Sequence, residues 1–170
     1  GLLIGHLDRD ENDRIIYLDI APDVILPGNN ILQIVPVDTI PDDISVGQLI
    51  LHDLPISSKL SESMIHVEVW EVENKHLIPA RITIVNKEGA YQTLGTPSGG
   101  PLAIRPGTVY TGTGKASFSL PSGSYTIFAS RGFEYGVDSL QMILYPGDQI
   151  HEQLFIKREV PTQGWISSDT

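Results

Sequence analysis

Two short stretches of this chain have residue types and spacings that could do chemistry. In Leu7-Asp8-Arg9-Asp10-Glu11-Asn12-Asp13, oxygen-bearing side chains recur at every second residue, and Asp19 follows where a calcium loop would close. Asp8, Asp10 and Asn12 are the candidate calcium ligands. Against them, Asp13 stands where the sharp turn of such a loop wants Gly, and a strand-forming run follows instead of a helix. A solvated acidic loop is the competing reading. The second stretch is Arg131-Gly132-Phe133-Glu134-Tyr135, which sets a cation and an anion around a Gly where an alternating run ends. Such residues either pair to fix a strand end or face a partner. An exposed pair is worth about 0 to 1 kcal/mol, whereas removing one partner of a buried pair costs roughly 3 to 5 kcal/mol.

Other constellations are weaker. His52, His66, His76 and His151 include no two at the i, i+2 or i, i+4 spacing that sets two imidazoles on one metal, so they read as ordinary strand and turn histidines. Gly95-Thr96-Pro97-Ser98-Gly99-Gly100-Pro101 has the glycines of a phosphate cradle but no helix after it to supply an N-terminus, and reads as a flexible loop. No Gly-x-Ser-x-Gly elbow occurs. No catalytic residue is assigned, and no cofactor is expected beyond the calcium candidate.

The chain has 170 residues, 41% of them hydrophobic, enough for one medium core or two small ones. Its net charge of −10 is uneven: residues 1 to 64 hold 3 Lys+Arg against 11 Asp+Glu, and residues 65 to 160 hold 8 against 9. That balance argues against nucleic acid, whose phosphates need a basic face. There is no Cys, hence no disulfide framework or thiolate metal site. No apolar run approaches the roughly 20 residues of a transmembrane helix. Gly1-Leu2-Leu3-Ile4-Gly5 lacks a basic leader and reads as the start of a strand rather than a signal peptide.

Turn residues separate short apolar runs throughout, the pattern of an all-β chain. Strands are expected at Arg14 to Ile20, Asn30 to Val37 and Val46 to His52, then at Met64 to Glu73, Pro79 to Lys87, Gly114 to Leu120, Ser124 to Arg131, Val137 to Tyr145 and Gln149 to Arg158. In the later group a period of two puts Ala80, Ile82 and Ile84 on one face, and likewise Ala116, Phe118 and Leu120; Tyr125, Ile127 and Ala129; Leu140, Met142 and Leu144; and Ile150, Leu154 and Ile156. Pro121-Ser122-Gly123 and Pro146-Gly147-Asp148 close hairpins. Pro55 to Ser61 reads as a linker and Thr93 to Thr113 as a long contact loop, and no helix is expected. Trp70, Tyr91, Tyr110 and Phe133 are expected mostly to fill the core, with Trp165 the exception. The expected fold is an antiparallel two-sheet β-sandwich over residues 62 to 160. A smaller β unit at 1 to 58 precedes it, and a linker at 161 to 170 follows.

Pro79-Ala80-Arg81, Gly123-Ser124-Tyr125, Ser130-Arg131-Gly132-Phe133-Glu134-Tyr135 and Gly164-Trp165-Ile166-Ser167-Ser168-Asp169 together resemble the segment that precedes the catalytic domain in CehA/McbA-like metallohydrolases of the PHP (polymerase and histidinol phosphatase) superfamily. The resemblance implies a carboxypeptidase-regulatory-like, transthyretin-like β-sandwich. It implies a non-catalytic accessory role, positioning or shielding a C-terminal metal-dependent hydrolase domain whose His-x-His would come next after Thr170. It makes Arg131, Glu134, Tyr135 and Trp165 the candidate domain-interface residues, and a periplasmic or extracellular location the expected one. Leu26-Pro27-Gly28-Asn29-Asn30-Ile31-Leu32-Gln33-Ile34 is similar to a hairpin of galactose-binding-like jelly rolls, which makes a carbohydrate-binding module the alternative.

Overall fold

A computed structural model describes residues 2–7, 11–36, 45–95 and 102–164. Eight strands occur among them: β1 (Ser63–Glu71), β2 (Ala80–Asn86), β3 (Leu102–Arg105), β4 (Thr108–Thr111), β5 (Lys115–Leu120), β6 (Gly123–Ser130), β7 (Asp138–Leu144) and β8 (Gln149–Ile156), with one short helix, α1 (Ile56–Leu60). They form two sheets, β5-β1-β8 and β3-β4-β2-β6-β7. Every ladder is antiparallel except β1 with β8, which run parallel in the register His66 to His151 and Trp70 to Phe155.

The alternation read from the sequence decides which side chains the sheets enclose. Along β1 burial strictly alternates, so Ile65, Val67 and Val69 point inward while Met64, His66, Glu68 and Trp70 point out. The inward residues meet Ile82 and Ile84 of β2, Phe118 and Leu120 of β5, Ile127 and Ala129 of β6, and Leu154 and Ile156 of β8 in one core. Leu140, Met142 and Ile150 pack against its margin. The five apolar faces expected of the sandwich are therefore the faces it buries. Each fully sealed aliphatic or aromatic side chain contributes roughly 1.5–3 kcal/mol through removal from water.

The β5–β6 turn is braced from outside the hairpin. Glu62 accepts hydrogen bonds from Ser122 N and Ser122 Oγ, both at 2.7 Å, and pairs with Lys59 Nζ at 2.9 Å. Burial pushes this carboxyl up, but the Ser122 and Lys59 contacts outweigh it and hold the group below the ordinary carboxylate value. Tyr125, buried at the start of β6, donates its hydroxyl back to Pro121 O at 3.0 Å, and burial raises its pKa.

Four expectations need correction. Thr93 to Thr113 is not one long loop, because it holds the β3–β4 hairpin, turned at Gly107 with φ +65. A Cβ at Gly107 would lie 2.6 Å from Tyr91 Cβ, so the close approach as well as the left-handed backbone requires Gly. The expected linker contains α1, whose last turn closes when Ser61 Oγ donates to Ser57 O. Trp70, Tyr110 and Phe133 are not core residues: Trp70 has the outward parity of β1, Tyr110 is exposed on β4, and Phe133 is 76% exposed at a turn. The strands expected at Arg14 to Ile20, Asn30 to Val37 and Val46 to His52 do not form among the described residues. Only an Arg14–Tyr91 bridge does, with Ile15 N donating to Tyr91 O and Tyr91 N to Asp13 O. β-branched residues favour extended backbone, but a strand is stabilised only where a neighbour supplies the ladder. Ile31, at 87% exposure, shows the consequence.

Candidate functional site

The Arg131–Tyr135 stretch begins where β6 ends at Ser130. Gly132 takes φ +55, the left-handed conformation that lets the chain reverse within a few residues. The reversal lays Glu134 to Gly136 along the residues that follow β8. Tyr135 bridges Arg158, Gly136 N donates to Lys157 O at 2.9 Å, and Glu159 N and Val160 N both donate to Glu134 O.

The side chains extend this attachment. Glu134 pairs with Arg158, not with Arg131, at 2.8 Å. Two guanidiniums lie against the Tyr135 ring, Arg131 at 5.5 Å and Arg158 at 5.3 Å from its centroid. Its hydroxyl donates to Glu71 Oε1 at 3.1 Å, at the end of β1. Glu71 is only 5% exposed, and its other oxygen accepts from Asn74 Nδ2 and lies 3.5 Å from His76 Nδ1. The Asn74 hydrogen bond, helped by Tyr135, His76 and Arg158, holds the Glu71 carboxyl below its ordinary range despite burial. The Glu134–Arg158 pair is partly solvated, so the buried anchor of the cluster is Glu71, not the pair.

Arg131, Glu134 and Tyr135 are thus gathered in one place by the fold. Trp165 lies outside the described residues, as do Asp8 and Asp10; Asn12 is exposed. Glu71, Asn74, His76 and Arg158 were not legible as members of this cluster. Arg158 lies 24 residues from Glu134, and no local spacing connects them. Among the described residues no three His, Cys, Asp or Glu side chains converge as a metal site, and no helix is long and apolar enough to cross a membrane.

The cluster is built for holding, since its carboxylates are already engaged by donors and its tyrosine lies against two arginines. It fastens the residues after β8 to the turn after β6 and to the end of β1. Phe133, Val137 and Val160, all exposed, belong to the segments that meet there.

No protein-family model matches the chain, and no curated protein matches it. Among solved structures it is similar to the minor pilin GBS52 of Streptococcus agalactiae, with 15% identity over 62% of this chain and 48% of that one and a TM-score of 0.42. It is also similar to the 5-hydroxyisourate hydrolase of Klebsiella pneumoniae, with 13% identity over 58% of this chain and 88% of that one and a TM-score of 0.38. The shaft pilin SpaA of Lactobacillus rhamnosus GG is similar at 13% identity, over 58% of this chain and 46% of that one, with a TM-score of 0.38. The chain thus spans about half the length of the two pilins. Likenesses of this size leave the β-sandwich assignment resting on the chain's own two sheets and shared core.

Proposed function

We propose that this chain is a non-catalytic β-sandwich accessory region that positions or shields the metal-dependent hydrolase domain of a PHP-type protein in the periplasm or outside the cell. In this reading residues 1–58 are an N-terminal unit, 62–160 the sandwich and 161–170 the lead into the catalytic domain. The observation that carries it is the anchoring of Arg158, Glu159 and Val160 by Glu134 and Tyr135. The lead at 161–170 would leave the sandwich from a fixed point at Val160, and exposed Phe133, Val137 and Val160 supply apolar surface for a following domain. Reading the coding sequence beyond Thr170 tests the proposal: His-x-His directly after it supports the assignment, and a stop codon there removes the family link. Purified 1–170 is expected to show no phosphoesterase or amidohydrolase turnover with zinc or manganese. Metal-dependent turnover that disappears when one of its own histidines is replaced would overturn the accessory role.

A second reading, a carbohydrate-binding module, is favoured by one feature. Trp70 and Phe155 are register neighbours on the outward face of β1 and β8, with Glu68 and Gln153 one step along the same face. Aromatic faces beside polar groups suit sugar rings. Oligosaccharide-dependent tryptophan fluorescence that vanishes in Trp70→Ala would support this reading; an unchanged spectrum across a glycan panel would remove it.

A further inference from the structure

The outward face of β5-β1-β8 carries a pair of histidines that chain spacing hides. His66 and His151 are 85 residues apart in sequence but directly paired in the parallel β1–β8 register, both with outward parity. Their rings stack with centroids 4.3 Å apart and planes 20° from parallel. On the other side, β1 pairs with β5 in the register His66 to Ser117, and His66 Nδ1 lies 2.8 Å from Ser117 Oγ.

We propose that His66 and His151 form a two-imidazole site for a borderline transition-metal dication, Cu2+ in preference to Ni2+ or Zn2+. Metal-binding imidazoles commonly use one ring nitrogen for the ion and donate the other N–H to an oxygen that fixes tautomer and orientation. Ser117 Oγ stands where it accepts such a bond from His66 Nδ1, which leaves the Nε2 lone pair for the ion. Cu2+ favours a tetragonal sphere, in which two cis nitrogens bound at about 2.0 Å lie roughly 2.8 Å apart. Because the stacked planes lie only 20° apart, ligation requires exposed His151 to turn about its side-chain bonds until its nitrogen lone pair converges with that of His66, a rotation between staggered rotamers that the open face allows.

The neighbours limit the site to these two protein ligands. Glu68, two residues along the same face, is engaged by Lys115 Nζ at 2.8 Å, Gln153 Nε2 at 3.1 Å and Trp70 Nε1 at 3.2 Å. Water completes the coordination sphere. A nitrogen-only pair selects the later first-row ions and gives Ca2+ and Mg2+, which want several oxygens, no purchase. Because the ligands sit on two different strands, a bound ion also clips β8 to β1.

Titration of the whole 170-residue chain with Cu2+, Zn2+, Ni2+, Ca2+ and Mg2+ tests the site, read by calorimetry, thermal melting and the Cu2+ electron paramagnetic resonance spectrum. One saturable Cu2+ per chain is expected, with hyperfine structure from two imidazole nitrogens, tighter than Zn2+ or Ni2+ and accompanied by a rise in Tm; Ca2+ and Mg2+ should leave the Tm unmoved. His151→Asn, on an exposed position, should remove the two-nitrogen signature while leaving the metal-free melting curve in place. Ser117→Ala should weaken Cu2+ at least about tenfold, the effect typical of losing a group that orients a ligand. Retention of the wild-type spectrum in His151→Asn would overturn the proposal. So would the lack of a saturable Cu2+ isotherm in the folded wild-type protein.

Discussion

The Tyr135 hydroxyl donates to Glu71 Oε1 at 3.1 Å, joining residues 64 apart and linking the turn after β6 to the end of β1. Glu71 is the most enclosed charge of its cluster, and Tyr135 both supplies a hydrogen bond to it and gives two arginines a surface to stack on.

Removing that hydroxyl leaves a buried carboxylate one donor short. Tyr135→Phe keeps the ring and its stacking, and should destabilise the protein by about 1–3 kcal/mol, the usual effect of orphaning a buried polar group. Urea midpoints measure it. A midpoint matching the wild type would show that solvent replaces the lost donor.

The two arginines of the cluster should differ. Arg131 contributes only its stacking on Tyr135, about 0.5–1 kcal/mol, whereas Arg158 stacks, pairs with Glu134 and donates to Thr162 Oγ1 at 3.3 Å. Arg158→Ala is therefore expected to lower the denaturant midpoint more than Arg131→Ala, with part of its effect suppressed by salt. Equal shifts for both would remove the Glu134 pair as a contributor.

Acid should weaken the sandwich from a defined side. Glu62, Glu68 and Glu71 all have folded-state pKa values below the ordinary 4.5, so the unfolded chain binds their protons first. Their stabilisation is complete above about pH 4.5 and is lost as pH falls through the lowered values. Melting temperature against pH should therefore drop below that point, and Glu71→Gln should flatten the drop.

The acidic stretch at Asp8, Asp10 and Asn12 remains a calcium proposal. A site present only in the folded state would add about 2.7 kcal/mol at a hundredfold excess over its dissociation constant. Melting curves in calcium and in chelator that superimpose would discard it.

Much of the fold was legible because strand patterning is local. Alternation at Ala80, Ile82 and Ile84, or at Tyr125, Ile127 and Ala129, is set by a two-residue repeat that any partner sheet must respect, and each of these faces is buried. The same logic misread Asn30 to Pro36, since strand preference says nothing about whether a neighbour exists. It also missed β3 and β4, four residues each and set in Gly-, Pro- and Thr-rich surroundings.

For the site, the sequence by itself picked out Arg131, Glu134 and Tyr135 as unusual, because Gly132 and the break in alternation mark a strand end. It could not assign Glu134 to Arg158 rather than to Arg131, place Glu71 beneath Tyr135, or set His66 against His151. Those contacts depend on the parallel β1–β8 pairing and on the path of the residues after β8. Strand order and register are chosen by the packing of the whole core, where a slip of one residue would turn every side chain of a strand to the opposite face. Local chemistry thus determined which residues alternate and where the chain turns; only the tertiary structure decided which distant side chains meet.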